Sequence, residues 1–328
     1  MHSKYKIPPL FYQSIFVLGL IVVFILGTSP ILEYTDKMNY NYNFENLTFL
    51  NIWSAKDIGF ALYSYAIKML VDDSGVYFIV TSFIYVFGYF IFARRFFNKS
   101  MVFYFLLGCF CSFGFTAYGV NTIRAGLALS LLLIGLSFYK KTKLFLIYSL
   151  MAVLCHKSMA LPLFAFYITR FNNNLKLYLY FWVFCLAIAT LNIVFISNFV
   201  QGIIGGSDEG LGSYFAEKNL ARYNTGFRTD FVIYSVIPIL VGRYYIIKLK
   251  VKDVFYNRML NAYIFSNAIW LLVIRMAFTD RIAYLSWFLI PFILLYPQLK
   301  YPLHINKQKW VFIILLGIFS FTSLMYFK

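Results

Sequence analysis

Long apolar stretches alternate with short polar ones along almost the whole chain of 328 residues. A helix needs about 20 apolar residues to cross the roughly 30 Å hydrocarbon core of a bilayer, and most of the stretches approach that length. They cover residues 10–26, 76–93, 101–118, 121–139, 144–169, 177–196, 231–247, 255–276, 282–296 and 310–327. The pattern predicts an all-α, polytopic membrane protein with about 10–11 membrane segments.

Composition supports this class and argues against a soluble protein. With 62% hydrophobic and 12% charged residues, the chain has more apolar side chains than one soluble core can bury, so the surplus must face lipid. No repeat or low-complexity segment interrupts the pattern, and we interpret residues 1–328 as a single transmembrane domain. A formal charge of +17 would suit a nucleic-acid-binding protein, but the basic residues form short clusters between apolar runs. That distribution is typical of cytoplasmic loops, so we predict no nucleic-acid partner.

The basic clusters orient the chain in the membrane. They fall at residues 94–99, 140–143 and 248–252, which the positive-inside rule places on the cytoplasmic side. The loops 29–75 and 197–229 then lie outside. Within the first of these loops, residues 57–70 predict a helix that lies along the membrane interface.

The segment 144–169 carries polar residues, His156-Lys157-Ser158, near its middle. Ionisable groups at membrane depth are costly and therefore indicate function. If both ends of the segment are cytoplasmic, it must enter and return as a re-entrant helical hairpin, with each half rising only about 18 Å. His156 and Lys157 would then lie at the apex, towards the outer face. One ordinary tilted span is the alternative.

An excess of cations is predicted at the outer ends of spans and in outer loops. The charged residues there are Arg124, Lys157, Arg222, Arg228, Arg275, Arg281, Asp230 and Asp280. Ion pairs within this set, such as Arg228 with Asp230 or Asp280 with a neighbouring arginine, are the simplest interpretation, and snorkelling is the alternative for Arg124. The remaining positive charge suits a polyanion, because a guanidinium group binds two phosphate oxygens at once. Asn121 lies three residues before Arg124 and would share its helix face.

No metal site or cofactor is predicted. The four cysteines all lie within apolar runs, which favours small buried side chains over zinc ligands. The sequence also lacks the D-x-D and H-E-x-x-H motifs of metal-dependent enzymes.

Four short motifs suggest a family. They are Asp57-Ile-Gly-Phe60, Asn121-x-x-Arg124-Ala-Gly-Leu-Ala128, His156-Lys157-Ser158 and Thr279-Asp280-Arg281-Ile-Ala-Tyr284. Together they resemble EpsG-type proteins, the Wzy-like polymerases of O-antigen or exopolysaccharide. The resemblance implies a glycosyltransferase of the bacterial cytoplasmic (inner) membrane. It would transfer a glycan from undecaprenyl pyrophosphate to a lipid-linked acceptor repeat unit at the outer face, in the lipid bilayer, with a flippase and a chain-length regulator as partners.

The resemblance also implies roles for the outer polar residues. Cations would stabilise charge on the departing pyrophosphate, and a base would accept the proton of the acceptor hydroxyl. Arg124, Arg275 and Arg281 are the first candidates for binding the pyrophosphate, and Lys157 and Arg222 are the second. The candidate base is His156 or Asp280. Histidine titrates near neutral pH, which favours His156 as the base and Asp280 as a residue that orients Arg281.

Three other functions stay open at this point. An O-antigen ligase would share the donor, and a membrane O-acyltransferase would use His156 as its base. A flippase or transporter of lipid-linked oligosaccharide is the alternative without catalysis. A transporter predicts charges through the whole membrane depth and repeated halves, whereas the predicted charges here gather at one face.

Overall fold

A computed structural model describes residues 9–31, 35–191, 226–276 and 279–327 of the chain. Every regular element in these ranges is helical, which confirms the predicted all-α membrane class. The chain divides into two compact units. The first unit comprises Met1–Ala160 with Gln298–Lys328, and the second unit comprises Leu161–Pro297.

The helices of the first unit are α1 Pro9–Gly27, α2 Thr35–Glu45, α3 Ile58–Leu70, α4 Ser74–Phe96, α5 Lys99–Phe110, α6 Phe113–Thr116, α7 Ile123–Ser137, α8 Thr142–Cys155 and, near the end of the chain, α15 Lys307–Tyr326. The helices of the second unit are α9 Ala160–Ile168, α10 Leu175–Leu191, α11 Thr229–Ile247, α12 Val254–Leu271, α13 Thr279–Trp287 and α14 Ile290–Lys300. The boundary between the units lies near the first residue of α9 and within the last turn of α14.

Helix α7 forms the centre of the first unit. All of its residues except Arg124 and Leu131 are buried. Gly88 of α4 allows α4 to approach α7 closely, since a Cβ atom on Gly88 would lie 2.7 Å from the Cα of Ser130 on α7. The Ser130 hydroxyl donates to the Ile84 carbonyl at 2.6 Å. Close backbone contact and this hydrogen bond fix α7 against α4.

Helices α7 and α8 form an antiparallel hairpin through the short turn 138–141. Lysines 140, 141 and 143 lie at the turn, whereas Arg124 and His156 lie at the opposite end of the hairpin. Arg95 of α4 lies at the lysine end, with its guanidinium carbon 5.9 Å from the ring centre of Phe138. The predicted cytoplasmic cations of the first unit therefore gather at one end, and Arg124 and His156 lie at the other.

The predicted span 101–118 is bent rather than a single regular helix. The helix breaks at Cys111 and Ser112, and the pieces on either side are bent by 75°. Two hydroxyl groups bind carbonyls at the break: Ser112 donates to the carbonyl of Cys109, and Thr322 of α15 donates to that of Cys111, both at 2.7 Å. A helix break at membrane depth requires such partners, because lipid offers none.

The segment 144–169 is interrupted at the predicted place. Helix α8 ends at Cys155, His156 has an extended backbone with φ −161° and ψ 113°, and a 3₁₀ turn, Lys157–Met159, follows. Both a re-entrant hairpin and a single broken span would have a helix break at this polar triplet, so the break does not distinguish them. The return of the chain to the cytoplasmic side stays a prediction.

Length and composition identify four described helical segments that can cross a bilayer, and a fifth if the bent α5–α6 pair counts as one. They are Ser74–Phe96, Thr229–Ile247, Thr279–Lys300 and Lys307–Tyr326. Shorter apolar helices of 10–17 residues occupy most of the other predicted spans. A 15-residue helix rises only about 22 Å, so the number of full crossings stays a prediction.

A buried polar network joins four helices of the second unit. The side-chain amide of Asn267 on α12 donates to Ser235 on α11 at 3.0 Å and to Ser286 on α13 at 3.1 Å. Its carbonyl oxygen accepts the indole N–H of Trp182 on α10 at 2.8 Å. Asn267 is fully buried, and its amide is satisfied on both sides. Polar groups in a low-dielectric interior stabilise a fold only when they are satisfied in this way.

Asn267→Leu should therefore destabilise the protein by about 2–3 kcal/mol, because it leaves the Trp182 indole N–H buried without an acceptor. Thermal unfolding of the purified protein in detergent measures this effect. Ser266→Ala is the matched control, since Ser266 is also buried and its hydroxyl has no hydrogen-bond partner in the described part of the chain. Equal melting temperatures for Asn267→Leu and wild type would contradict the role of the network.

Candidate functional site

Asp57 is the residue around which the polar side chains at the Arg124 end of the first unit meet. It occupies the N-cap position of α3, where an aspartate usually accepts a hydrogen bond from its own helix. Here its side chain makes no such bond. Only 1% of the side chain is exposed, so the carboxylate is directed into the protein.

Three groups from distant parts of the chain contact this carboxylate. Arg124 donates from Nη1 to Oδ2 at 2.9 Å, and the Nδ1 atom of His156 lies 3.6 Å from the same oxygen. The backbone N–H of Lys157 donates to Oδ1 at 3.4 Å. The carboxylate is thus held between the beginning of α7 and the end of α8.

An irregular turn places Arg124. A π-helical turn, Ala117–Asn121, precedes α7, and the backbone N–H of Thr122 donates across it to the Ala117 carbonyl at 2.9 Å. A Cβ atom on Gly126 would lie 2.4 Å from the Tyr118 carbonyl oxygen, so a glycine is needed where the turn lies against α7. Isolated π turns of this kind are frequent at functional sites. Because α7 begins only at Ile123, the prediction that Asn121 and Arg124 share one regular helix face is wrong.

The break after α8 places the other two contacts. The extended backbone of His156 ends the helix and directs both its ring and the following N–H of Lys157 towards Asp57. The ring keeps 24% of its surface exposed. Its Nδ1 side therefore faces the carboxylate, which favours the tautomer with the proton on Nδ1 and leaves Nε2 as the proton acceptor.

Gly59 allows α3 to approach the end of α8. A Cβ atom at this position would lie 2.8 Å from the carbonyl carbon of Leu154 and 2.9 Å from the nitrogen of Cys155. These are backbone atoms that cannot move aside as a side chain would. The glycine in the Asp57-Ile-Gly-Phe60 motif thus has a physical role, because it brings Asp57 within reach of His156.

Among the described residues of this cluster, positive charge exceeds negative charge. Lys56 lies close enough to Asp57, Arg124 and Lys157 for all three to influence its pKa. Burial lowers the pKa of Lys56 most, the nearby Arg124 and Lys157 lower it further, and Asp57 partly offsets them. In the part of the cluster that the structure describes, three cations, Lys56, Arg124 and Lys157, stand against the one carboxylate of Asp57, and a bound anion would relieve the repulsion between the cations.

Helix α2, which the sequence analysis does not predict, adds an aromatic wall. The ring centre of Tyr40 lies 5.8 Å from the Arg124 guanidinium carbon, within the range of a cation–π contact. Lys37 anchors this helix: it is 1% exposed and donates to the carbonyls of Gly27 at 3.1 Å and Ser29 at 2.6 Å. These carbonyls lie at the end of α1, where a cation is favoured.

The second unit holds three other predicted site residues. Asp280 accepts a hydrogen bond from the Tyr284 hydroxyl at 3.0 Å, and Arg281 follows it in the first turn of α13. Arg275 donates to the Ala189 carbonyl at the end of α10 at 3.3 Å, and Phe227 lies 5.3 Å from its guanidinium.

The outcome differs for the two remaining predicted arginines. The predicted ion pair between Arg228 and Asp230 is confirmed, at 2.8 Å. Arg222 lies outside the described residues.

The structure thus brings together Arg124, His156 and Lys157, and it adds Asp57 and Lys56 to them. The sequence pattern indicates only that Asp57 starts an interfacial helix, although Asp57 belongs to one of the four motifs that resemble the family. Its unusual N-cap geometry becomes visible only with the fold.

The fold and this cluster define a multi-pass membrane protein with a cation-rich polar site at one end of the α7–α8 hairpin. The sequence model of the EpsG family matches residues 12–328, so the chain belongs to the EpsG family, a family of Wzy-like polymerases. A polysaccharide polymerase-like role follows from this membership. No curated protein and no solved structure matches the chain significantly.

Proposed function

We propose that this protein polymerises the repeat units of a surface polysaccharide at the outer face of the bacterial cytoplasmic membrane. It would transfer a glycan from undecaprenyl pyrophosphate to a sugar hydroxyl of a second lipid-linked repeat unit. One observation carries the proposal: a buried carboxylate, Asp57, holds a histidine and an arginine side by side within a positively charged cluster.

The positive charge suits the leaving group. Cleavage of the sugar–phosphate bond leaves charge on a lipid pyrophosphate, and cations fixed in advance stabilise that charge without reorganising. Arg124 is held by Asp57 at 2.9 Å and so is oriented before substrate binds. Lys56 and Lys157 add charge beside it. We propose these three as the principal pyrophosphate ligands.

His156 is suited to accept the proton of the acceptor hydroxyl. As Nε2 accepts the proton, His156 becomes positively charged, and the Asp57 carboxylate 3.6 Å from Nδ1 stabilises that charge. The same pairing of a carboxylate with a histidine raises basicity and fixes ring orientation in other enzymes that activate hydroxyl groups. We therefore propose His156 as the general base and Asp57 as its positioning residue.

We propose secondary roles for the candidates of the second unit. The Nε–H group of Arg275 already binds a backbone carbonyl, which favours a structural role for this residue. The carboxylate of Asp280 already accepts a hydrogen bond from the Tyr284 hydroxyl, so Asp280 is the weaker candidate base. Arg281 and Arg222 stay as proposed second ligands of the pyrophosphate.

The architecture of the first unit supports an outer location for the cluster. The cluster and the lysines of the 138–141 turn region lie at opposite ends of the α7–α8 hairpin. Because clustered lysines and arginines favour the cytoplasmic side, the cluster is assigned to the outer side. Lipid-linked repeat units are available there only after a flippase has moved them, which makes a flippase and a chain-length regulator the proposed partners.

Deletion of the gene in its own host tests the proposal, with surface glycan resolved by electrophoresis. A polymerase predicts glycan that stops at one repeat unit and regains its length when the wild-type gene is restored. Absence of all repeat units from the outer face would instead indicate a flippase. Full-length chains that accumulate on the lipid carrier would indicate a ligase.

Gly59→Ala should reduce polymerisation about 100-fold, because it forces α3 away from the end of α8 and displaces Asp57 from His156 by the order of an ångström. The initial rate of chain extension by purified protein measures the loss. Gly19→Ala is the control, since no atom lies within 4 Å of the added Cβ there. Wild-type rates of chain extension in both variants would show that polymerisation does not require the close contact between α3 and α8.

The alkaline pH dependence of donor binding should come from Lys56. Since burial and the neighbouring cations lower its pKa below the usual 10.5, Lys56 loses its charge at lower pH than an ordinary lysine. The KM for lipid-linked donor should rise as pH increases through that lowered pKa. In Lys56→Gln the KM should already be high and should lack this rise. The control variant Lys140→Gln, at the other end of the α7–α8 hairpin, should keep the alkaline rise in KM. If Lys56→Gln shows the same alkaline rise as wild type, Lys56 does not belong to the site.

A further inference from the structure

A groove of about 280 Å³ lies between α1, α4 and α5, at the basic end of α4. Its lining residues are Ile15 and Phe16 of α1, Phe90 and Arg94 of α4, and Lys99 and Val102 of α5. Four apolar side chains form the walls, and two exposed cations lie at the end where α4 gives way to α5. The groove is therefore amphipathic along its length.

The two arginines that end α4 have different surroundings. Arg95 lies over the Phe138 ring, whereas Arg94 lines the groove and has no ion-pair partner among the described residues. A cation above an apolar groove matches a lipid, because the negatively charged phosphate can bind the cation and the acyl chain can pack in the groove. A second basic residue, Lys99, lines the same groove.

We propose that this groove binds one anionic phospholipid of the cytoplasmic leaflet. The phosphate lies between Arg94 and Lys99, and an acyl chain lies along Ile15, Phe16 and Phe90. The leaflet follows from the cluster of Arg94, Arg95 and Lys99, which marks the cytoplasmic side, where anionic lipids concentrate. A bound lipid would fill the space between α1 and its two neighbours and so hold α1 in place.

Lipid binding to the purified full-length protein tests the charged half of this site. The probe is phosphatidylglycerol, titrated against a phosphatidylcholine background. Wild type should prefer phosphatidylglycerol, and the double variant Arg94→Gln/Lys99→Gln should bind it about tenfold more weakly. Lys140→Gln/Lys143→Gln removes equal charge from the same end of the first unit and should keep the affinity within about twofold. Equal losses in the two double variants would mean general surface attraction and would overturn the site.

A second pair of variants tests the apolar half. Phe16 and Phe24 of α1 are 65% and 64% exposed, so either can be changed to alanine at little cost in folding. Phe16→Ala should weaken phosphatidylglycerol binding several-fold, and Phe24→Ala should not. Inorganic phosphate should fail to compete. Competition by phosphate, or an unchanged affinity in Phe16→Ala, would show a simple anion site and overturn the lipid assignment.

Discussion

Asp57→Asn is expected to reduce polymerisation of repeat units at least about 100-fold while the protein inserts into the membrane at its normal level. The amide has the shape of the carboxylate but lacks its charge. It can no longer stabilise the imidazolium form of His156, whose Nδ1 atom lies 3.6 Å away. It also holds Arg124 less firmly, because a charge-assisted hydrogen bond is about twice as strong as a neutral one. Chain extension on lipid-linked repeat units measures the loss.

Asp72→Asn provides the control for this result. Asp72 follows α3 and pairs with Lys68, but 70% of its side chain is exposed, so its charge is screened by water. The control variant should polymerise at the wild-type rate. If Asp57→Asn also retains the wild-type rate, Asp57 has no role in the reaction and the site must be sought elsewhere.

His156→Gln is expected to reduce the rate of chain extension by about 10²–10⁴-fold, the usual contribution of a general base. Glutamine can still form hydrogen bonds at the end of α8, but it cannot accept the proton of an acceptor hydroxyl. The KM for lipid-linked donor should change little, because the cations that bind the pyrophosphate remain.

His304→Gln is the matched control, because His304 precedes α15 and its ring is tilted against that of Trp310, with the ring centres 5.0 Å apart. Asp280→Asn should likewise retain most activity. If Asp280→Asn abolishes extension and His156→Gln does not, the roles proposed for the two residues are reversed.

Much of the fold follows from the sequence, because ten long apolar runs leave few alternatives to membrane helices. The break in the run 101–118 does not follow from it. No proline marks the break, and one of the groups that stabilise it, the Thr322 hydroxyl, lies 211 residues further along the chain. Helix α2 is missed for a different reason: its sequence is polar, and it is held by buried Lys37 rather than by an apolar face.

The site was only partly predictable from the sequence, because the contacts that form it join distant segments of the chain. Arg124 and His156 are conspicuous because they interrupt apolar runs. Asp57 is not, because it lies in a polar loop where an N-cap aspartate is ordinary. Its contacts with Arg124 and Lys157 span 67 and 100 residues of sequence, and periodicity within a single segment carries no information at that range.

A double-mutant cycle of Asp57→Asn and His156→Gln tests most directly whether the two residues act as one catalytic unit. The initial rate of chain extension is measured for purified wild type, both single variants and the double variant, on the same lipid-linked repeat unit. Residues that act through one another give losses that do not multiply. If Asp57 and His156 act as one unit, the double variant should be no slower than about the slower single variant. A loss equal to the product of the two single losses would instead show that the two residues act independently.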